Sequence, residues 1–333
     1  MKAVQIKQYG GPEELYIGER PDPVAGEGEL LIQVKAAGLN RADLLQREGK
    51  YPAVPGESDI LGLEMAGVVI GVGSGVTGWR EGERVCALLP GGGYSERAAV
   101  PAGMAMRLPA NLSYAEGAAI PEAFLTAYLN LVKLAGMTEG DYVLIHAGAS
   151  GVGSAAIQLA REFGAHALVT AGSSEKLEFC RELGAAGVWN YREGSFLPWL
   201  MEATGGHGSD IVLDLVGAPY FTDHLAGAAV GGRIVLVGMT GGSEVPMESF
   251  DLNPLLMKRI SIIGSTLRSR SREDKIRLTQ QFWQQASSGF ADGALQPVVD
   301  RIFPWSRVRE AHEWMEANRN KGKVILDITA DAE

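Results

Sequence analysis

The pattern of apolar and polar positions gives the first part of the chain a strand-like character. Up to about residue 118, strand-like segments are separated by turns that contain Gly and Pro. These segments are LLIQVKAAGLN, MAGVVIGVG, ERVCALL and GYSERAAVP. From Ser113 the pattern becomes helical, and the segment PEAFLTAYLNLVKLAG has Pro121 at its start and Gly136 at its end. We therefore predict a mostly β part that ends in helices.

From Asp141 onward, short apolar segments and helical segments alternate. The predicted strands are VLIHA, ALVTAG, GVWNY, DIVLDLVG, RIVLVGM and SIIGSTL. This βαβ rhythm predicts a parallel, doubly wound sheet with right-handed crossovers. After Leu267 come a charged helix, the strand PVVDRIF, a helix from about Ser306 to Asn318 and the strand KVILDI. We expect this tail to return to the first domain.

The stretch DYVLIHAGASGVG indicates the chemistry most clearly. Its apolar run VLI is typical of a strand that is buried on both faces of a parallel sheet. A glycine turn follows, and apolar residues then recur at helical spacing as far as Gly164, a typical C-terminal cap. In such an arrangement, backbone N–H groups at the helix start face the phosphates of a dinucleotide. We predict dinucleotide binding at Gly151, Val152 and Gly153.

One position departs from the usual G-x-G-x-x-G fingerprint of dinucleotide-binding turns. Counted from Gly148, the middle glycine is replaced by Ser150. Two interpretations stay open and are compatible with each other. The hydroxyl of Ser150 bonds a phosphate oxygen, or it caps the start of the helix.

Composition limits the classes of protein to which the chain can belong. At 333 residues it is long enough for two domains, and its net charge of −10 argues against a nucleic-acid partner. No apolar run approaches the roughly 18 residues of a membrane helix, and the first residues do not resemble a signal peptide. The two cysteines, Cys86 and Cys180, are interpreted as buried filler rather than nucleophiles, and a reducing cytoplasm is the expected compartment.

Several segments in this order resemble one known family: GLNRADLLQREGKYP, LGLEMAGVV, PGGGYSERAAVP, AAIPEAFLTAY, HAGASGVG and GKVIL. They are similar to the zinc-independent medium-chain dehydrogenases/reductases, and within these to the NADPH:quinone oxidoreductases, particularly the p53-inducible type. The resemblance implies an α/β chain, with a doubly wound parallel Rossmann sheet and a mostly-β, GroES-like catalytic domain. It implies a catalytic domain at 1–118 and 268–333 and an NADPH-binding domain at 119–267, with the nucleotide in the cleft between them.

The zinc-bearing relatives provide a test for a metal site. They use a Cys near the first cleft loop, a His immediately before a Glu, and a further Cys. Here the loop begins at Asn40, and Leu63 stands before Glu64. Leucine cannot ligate zinc, and two cysteines cannot supply a tetrahedral thiolate site. His146 and His207 are isolated in the sequence and are interpreted as surface or supporting residues, so no metal is expected.

The second strand of the βαβ region indicates which nucleotide is bound. NAD-specific folds place a carboxylate at the tip of this strand, whereas here Gly172, Ser173 and Lys176 follow it. Hydroxyls and an ammonium at a helix start suit a 2′-phosphate, although Ser173 can also be a simple cap beside a solvated Lys176. The resemblance adds Tyr191 as a phosphate contact, and NADPH is the expected cofactor. By resemblance alone, the nicotinamide end is held by Thr126, Gly217, Gly238, Met239, Thr240, Ser265, Thr266 and Leu267, with Asn320 from the C-terminal segment.

The expected reaction is hydride transfer to a small-molecule quinone, including ortho-quinones, or to an enone. A quinone needs little acid help, because its reduced form is an aromatic phenolate that a few hydrogen bonds stabilise. Asn40 is predicted to donate to a carbonyl and Tyr51 to stack on a flat ring; a loop cap and a packed aromatic are the alternatives. Arg41 and Asp43 are interpreted as an orienting ion pair.

Two other functions stay open: a 2-enoyl thioester reductase, and an NADPH-binding protein with little turnover. We also expect a homodimer, because SIIGSTL forms an exposed last strand, and exposed strand edges must be covered or paired.

Overall fold

The computed structural model of the chain describes residues 1–246 and 251–330. Contacts between Cα atoms divide it into two compact units. Unit 1 contains Met1–Leu125 and Leu267–Glu333, and unit 2 contains Thr126–Thr266. The C-terminal segment therefore belongs to the same unit as the N-terminal segment.

The strands of the described residues alternate with turns in the first part of the chain and with helices in the second. In chain order they are β1 (Lys2–Ile6), β2 (Leu15–Glu19), β3 (Glu29–Gly38), β4 (Glu64–Val72), β5 (Arg84–Leu88), β6 (Arg97–Pro101), β7 (Ala105–Arg107), β8 (Tyr142–Ile145), β9 (His166–Ala171), β10 (Gly187–Asn190), β11 (Ser209–Asp214), β12 (Ala228–Leu236), β13 (Ser261–Gly264), β14 (Val299–Pro304) and β15 (Lys323–Asp327).

The helices concentrate in the middle of the chain and near its end. They are α1 (Arg41–Arg47), α2 (Tyr114–Gly117), α3 (Pro121–Tyr128), α4 (Gly151–Glu162), α5 (Ser174–Glu182), α6 (Leu197–Ala203), α7 (Phe221–Gly227), α8 (Asn253–Met257), α9 (Arg272–Asp292) and α10 (Val308–Glu316). A π-helical turn, Leu129–Leu134, continues α3. None of the helices in residues 1–246 and 251–330 is long and apolar enough to span a membrane.

Unit 1 is built around a mixed sheet in the order β14-β15-β3-β4-β5-β7, and β6 also pairs with β3. The C-terminal strand enters this sheet because β15 runs antiparallel to β3, with Ile325 opposite Gly38. The edge-to-face contact of Phe124 with Phe290, at 4.9 Å between ring centroids, joins α3 to α9 within the same core. Both ends of the chain are therefore needed to complete unit 1.

Unit 2 contains a parallel sheet in the order β10-β9-β8-β11-β12-β13. Its helices pack on the strands, α4 against β8 and β9, and α7 against β12. The side chains that fill its core are apolar and at most 9% exposed: Leu144, Leu168, Phe196, Leu200, Val212, Phe221, Leu225, Ala228, Ile234 and Ile260. Together with the mixed sheet of unit 1, this parallel sheet confirms the predicted fold class.

Both cysteines lie inside this framework. Cys86 on β5 and Cys180 on α5 are free thiols with 0% exposure. Burial raises the pKa of Cys180 to about 12 and that of Cys86 higher still. They fill space, as the sequence predicts.

Candidate active site

The turn after β8 has the geometry of a phosphate cradle. The Ser150 hydroxyl accepts a hydrogen bond from the Gly153 N–H at 3.0 Å, so Ser150 is the cap of α4. A Cβ at Gly153 would lie 2.4 Å from the Ala147 carbonyl oxygen, so only glycine allows the helix to approach the turn this closely. Gly151 and Val152 are the first two helical residues, and N–H groups at these positions have no acceptor within the helix. They are the donors that an anion can use.

The tip of β9 brings four of the predicted residues together. The Ser173 hydroxyl accepts from the Lys176 N–H at 3.3 Å and caps α5. The Tyr191 hydroxyl lies over Gly172, because a Cβ there would be 2.3 Å from this oxygen. The Tyr191 ring is 43% exposed and is open to a ligand. The caps at Ser150 and Ser173 are both observed, and a cap and a phosphate ligand are compatible roles.

The carboxyl ends of β11, β12 and β13 carry the next group of predicted residues. Gly217 has a φ of +90°, and a Cβ there would lie 3.2 Å from the Cα of Met239. The Thr240 hydroxyl donates to the Leu215 carbonyl at 2.9 Å, and the Gly238 N–H donates to the Asp214 carbonyl at 3.2 Å. Ser265 and Thr266 follow β13 in the same sheet. Since carboxyl ends of parallel strands share one edge, unit 2 presents these residues together.

The remaining predicted cofactor residues divide between the two units. Thr126 of unit 2 lies on α3, where its carbonyl accepts from the Asn130 amide at 2.7 Å. Leu267 and Asn320 belong to unit 1. Leu267 is 6% exposed, and the Asn320 amide donates to the Gly322 carbonyl at 2.8 Å.

Asn40 is held in a buried ionic network of unit 1. The Lys323 ammonium lies 2.5 Å from the Glu64 carboxylate and donates to the Asn40 amide oxygen at 2.7 Å. The Asn40 amide nitrogen donates to Glu64 at 2.9 Å, and Glu64 also accepts from the Glu122 backbone N–H at 2.8 Å. The carbonyl oxygen of the Asn40 amide is therefore occupied, one N–H is directed to Glu64, and the amide nitrogen makes a longer contact of 3.4 Å with the Gly38 carbonyl.

Tyr51 is held by the buried side chain of Arg268. The guanidinium lies 5.2 Å from the centre of the Tyr51 ring and donates to the Tyr51 carbonyl at 3.4 Å. It also donates to the Pro90 carbonyl at 3.2 Å and to the Gln46 amide oxygen at 2.6 Å. Arg268 is 5% exposed, so its charge acts on Tyr51 with little screening.

Two carboxyl groups of unit 1 have strongly perturbed acidities. Burial, followed by the nearby Glu64 charge, raises the pKa of Glu122 to about 8. Burial raises the pKa of Asp43 to about 6, against hydrogen bonds from the Asn40 and Gly62 backbones and from Tyr94. Glu122 also acts on Tyr51, whose pKa is raised by burial first and by this carboxyl second. Glu122 therefore keeps its proton at neutral pH, and its charge acts on Tyr51 only at higher pH.

The predicted ion pair of Arg41 and Asp43 is wrong. Arg41 donates to the Asn318 amide oxygen at 2.7 Å and to the Met315 carbonyl at 3.3 Å. Asp43 is buried and accepts from the Tyr94 hydroxyl at 3.0 Å. The reason is geometric, because residues two apart on a helix such as α1 do not face each other.

His146 is isolated in the sequence but not in the fold, where it is a buried supporting residue and not a surface one. Its Nε2 lies 2.8 Å from Nε2 of His224, and its Nδ1 lies 2.8 Å from the Thr170 hydroxyl. His207 is half exposed and pairs with Asp210 at 2.9 Å. Within residues 1–246 and 251–330, no three His, Cys, Asp or Glu side chains form a group able to hold a metal ion.

Sequence reasoning missed Glu64, Lys323, Glu122 and Asp214 as parts of the site. A weak signal was present for the first two, because each is a charged residue within an apolar segment, LGLEMAGVV and GKVIL. Since a buried charge must be paired, the sequence indicates that each of these residues has a partner. It does not identify the partner.

Comparisons with known proteins agree with this geometry. The family model of the alcohol dehydrogenase GroES-like domain matches residues 26–110, and that of zinc-binding dehydrogenases matches residues 151–283. Human quinone oxidoreductase is 33% identical over 332 residues, which cover 98% of this chain and 97% of that protein. The structure of Escherichia coli quinone oxidoreductase complexed with NADPH is 30% identical with a TM-score of 0.87, covering 98% of this chain and 100% of that one. The apo JamJ enoyl reductase is 28% identical with a TM-score of 0.86, covering 98% of each chain.

Proposed function

Because the chain belongs to the medium-chain dehydrogenase/reductase family, we propose that it is an NADPH-dependent oxidoreductase that transfers a hydride to quinones, ortho-quinones included. The observation that carries the choice of acceptor is the pairing of Tyr51 with Arg268 in unit 1. A flat aromatic ring suits a flat acceptor, and a buried cation beside it favours the negative charge that a reduced quinone develops. The buried free thiols fit the reducing cytoplasm that we propose as its compartment.

The residues of unit 2 fit NADPH. Gly151 and Val152 offer free N–H groups to the pyrophosphate, and Ser150 adds a hydroxyl at the same cradle. At the tip of β9, the 2′-phosphate would be held by Gly172, Ser173, Lys176 and Tyr191, where the described strand end has no acidic side chain before Glu175. In unit 2, the nicotinamide end would be held by Thr126, Gly217, Gly238, Met239, Thr240, Ser265 and Thr266. Leu267 and Asn320, which the resemblance also implies, belong to unit 1.

NADPH, when bound, supplies the hydride, and the protein must supply position and a proton. Reduction of a quinone to the hydroquinone takes one hydride from the cofactor and one proton. We propose that Tyr51 orients the acceptor ring. We propose that Asn40 turns one amide hydrogen, which makes only a long 3.4 Å contact with the Gly38 carbonyl, towards the acceptor oxygen. Lys323 holds the amide oxygen at 2.7 Å, and Glu64 holds the other amide hydrogen.

A second activity, reduction of a 2-enoyl thioester, is favoured by one observation. The JamJ enoyl reductase has the same fold at a TM-score of 0.86. An enone and a quinone both accept a hydride into a conjugated carbonyl system, so one positioning site can serve either. An NADPH-binding protein with little turnover is the third outcome that an experiment must distinguish.

We propose a homodimer built on the free edge of the unit 2 sheet. β13 is the last strand in the described order, and Ile262 on it is 38% exposed. Large apolar side chains of the same unit are also exposed: Val230 at 62%, Leu252 at 57%, Leu256 at 76% and Met257 at 67%. A second copy that pairs β13 across a two-fold axis would cover both the edge and apolar surface.

The test is stopped-flow oxidation of NADPH with a quinone, an enoyl thioester and a simple aldehyde in parallel. We expect fast reaction with the quinone and none with the aldehyde. A faster reaction with the thioester would assign the chain to the enoyl reductases. Tight NADPH binding without oxidation by any of the three would support the low-turnover alternative.

A further inference from the structure

Asp214, at the end of β11, holds two segments that carry proposed nicotinamide-end residues. Its Oδ1 accepts from the N–H groups of Val216 and Gly217 at 2.8 and 3.0 Å. Its main-chain carbonyl accepts from the N–H groups of Val237 and Gly238 at 2.8 and 3.2 Å. A single residue therefore fixes both the turn at Gly217 and the start of the segment that leads to Met239 and Thr240.

The two segments fit closely against each other. A Cβ at Gly217 would lie 2.6 Å from the Gly242 carbonyl oxygen and 3.2 Å from the Met239 Cα. There is consequently little room for Gly217 to move without displacing its neighbour. The anchoring of this turn by Asp214 therefore sets the shape of this part of the proposed cofactor site.

The second carboxylate oxygen of Asp214 begins a chain of buried polar side chains. Asp214 Oδ2 lies 3.7 Å from Nδ1 of His224, and Nε2 of His224 lies 2.8 Å from Nε2 of His146. His146 Nδ1 in turn lies 2.8 Å from the Thr170 hydroxyl. All four residues are at most 1% exposed. The chain links the carboxyl ends of β11, β8 and β9, from the nicotinamide-end turn to the strand that precedes Gly172.

The proton positions along this chain are linked. Burial lowers the pKa of both histidines, that of His224 to about 3, so both rings are neutral at pH 7. Neutral imidazole has one donor and one acceptor nitrogen, so a single proton lies between the two Nε2 atoms. If Asp214 is ionised, His224 carries its proton on Nδ1, His146 Nε2 donates to His224, and the Thr170 hydroxyl donates to His146. A proton added to Asp214 Oδ2 allows the hydrogen bonds that link Asp214, His224, His146 and Thr170 to reverse their direction.

We infer that Asp214 is a positioning residue for the nicotinamide cofactor: it anchors the Gly217 turn and fixes which nitrogens of His224 and His146 carry protons. This inference rests on the proposed assignment of Gly217 and Met239 to the cofactor site. Neither Asp214 Oδ2 nor His224 Nδ1 has a hydrogen-bond partner within the part of the chain that the structure describes. If the 3.7 Å between these two atoms shortened by less than 1 Å, they would form a hydrogen bond. This bond would stabilise both groups, because a buried donor or acceptor without a partner costs free energy.

Cofactor binding should depend on pH, because the carboxyl group of Asp214 can be protonated. Burial, opposed by the Gly217 and Val216 N–H groups, raises the pKa of Asp214 to about 6. Hydrogen bonds to a carboxylate are about twice as strong as those to a neutral carboxyl group, so protonation loosens the Gly217 turn. The titratable side chains that act on the region are His224 and His146, then Tyr220, whose ring contacts both, and Tyr191 and Asp223, which act on Tyr220. Burial holds the pKa of both histidines well below 6 and raises that of Tyr220 above its ordinary value, so we assign the titration near pH 6 to Asp214.

The experiment measures the dissociation constant of NADH from pH 7.5 to 5.5 by fluorescence titration. NADH is the probe because it lacks the 2′-phosphate, whose own second pKa is about 6. We expect the wild-type dissociation constant to rise about three- to tenfold as Asp214 is protonated. Asp214→Asn keeps an oxygen for the two N–H groups without the charge, so it should bind weakly at pH 7.5 and show no further change. Asp210→Asn, on the same strand and hydrogen-bonded to Tyr142 and His207, is the matched control.

Nitrogen-15 NMR of the histidines gives a readout that does not need the cofactor. The wild type at pH 7.5 should carry protons on Nδ1 of His224 and Nε2 of His146, and Asp214→Asn should reverse both, because its amide donates to His224. Opposite tautomers in the wild type would overturn the inference even if the variant does not fold. A pH-independent dissociation constant would also overturn it and leave the proposed function intact. If the wild type binds neither NADH nor NADPH, the proposed function itself fails.

Discussion

The ammonium of Lys323 and the carboxylate of Glu64 form an ion pair at 2.5 Å, and their side chains are 5% and 0% exposed. Lys323 begins β15 and Glu64 begins β4, and both strands flank β3 in the sheet of unit 1. The same two groups hold Asn40 between them. One buried pair thus joins the C-terminal strand to the loop that carries a proposed acceptor-binding residue.

Lys323→Met should destabilise the protein by about 3–5 kcal/mol, because it leaves the Glu64 charge buried without a partner. The free energy of unfolding is measured by urea denaturation. Adding Glu64→Gln to this variant should recover part of the loss, because the unpaired charge is removed. Lys50→Met removes an exposed partner of Glu48 and should cost less than about 1 kcal/mol. Equal losses in the two single variants would contradict the importance of burial.

Arg268→Lys should raise KM for flat quinones by about tenfold and change kcat less. Lysine keeps the charge but cannot bond Tyr51, Pro90 and Gln46 at once, so the Tyr51 ring is no longer held. Steady-state kinetics with a fixed, saturating NADPH concentration measure the effect. Arg277→Lys, on the exposed face of α9, is the control. An unchanged KM in Arg268→Lys would remove the support for Tyr51 as the acceptor platform.

Lys176→Ala should weaken NADPH binding by about 1–3 kcal/mol, or roughly ten- to a hundredfold, and leave NADH binding nearly unchanged. The reason is that only NADPH carries the 2′-phosphate that we assign to Ser173, Lys176 and Tyr191. Fluorescence titration with both nucleotides measures the difference. The exposed Lys133 of the same unit, replaced by Ala, is the control. Equal weakening of both nucleotides by Lys176→Ala would disprove the phosphate assignment.

Glu122→Gln should flatten the decline of stability between pH 6 and 9. Burial first, and then the Glu64 charge, raise the pKa of Glu122 in the folded chain to about 8, well above its ordinary value. The native state therefore holds this proton more tightly than the unfolded state, and stability falls as pH rises towards 8. The free energy of unfolding at pH 6, 7, 8 and 9 provides the test. A pH dependence that is the same in wild type and variant would assign the decline to other groups.

Ile262→Lys should convert the proposed dimer to a monomer, because it places a charge on the exposed edge strand β13. Analytical ultracentrifugation at micromolar concentration measures the mass. Ile302→Lys is the control, since Ile302 is 50% exposed but lies on β14 of unit 1. A wild-type protein that sediments as a monomer would refute the dimer outright.

Local sequence signals predicted the elements of unit 2 well. Ser150 caps α4, and Gly164, with a φ of +72°, follows its end, because caps and glycine turns are decided by neighbours in sequence. The same local reasoning failed for Arg41 and Asp43, which lie on one helix but point to different partners. Proximity in sequence was mistaken for contact in space.

The buried polar networks could not be predicted in the same way. His146 finds His224 on α7, and Glu64 finds Lys323 on β15, so the folded sheets decide these contacts and no local pattern encodes them. A histidine at the end of a buried strand already requires a hydrogen-bond partner. The sequence therefore indicates that His146 has a partner, and the structure identifies it as His224.

The burial of both thiols bears on how the protein would withstand the quinones that we propose as its acceptors. Quinones are oxidants, but they are also alkylating agents that add to thiolates. Only the thiolate is a strong nucleophile, and Cys180, with a pKa raised to about 12, and Cys86, raised further, hold almost none of it at neutral pH. Both are at 0% exposure, and the sequence has no other cysteine. A quinone that leaves the protein unreduced therefore finds almost no cysteine thiolate to which it can add.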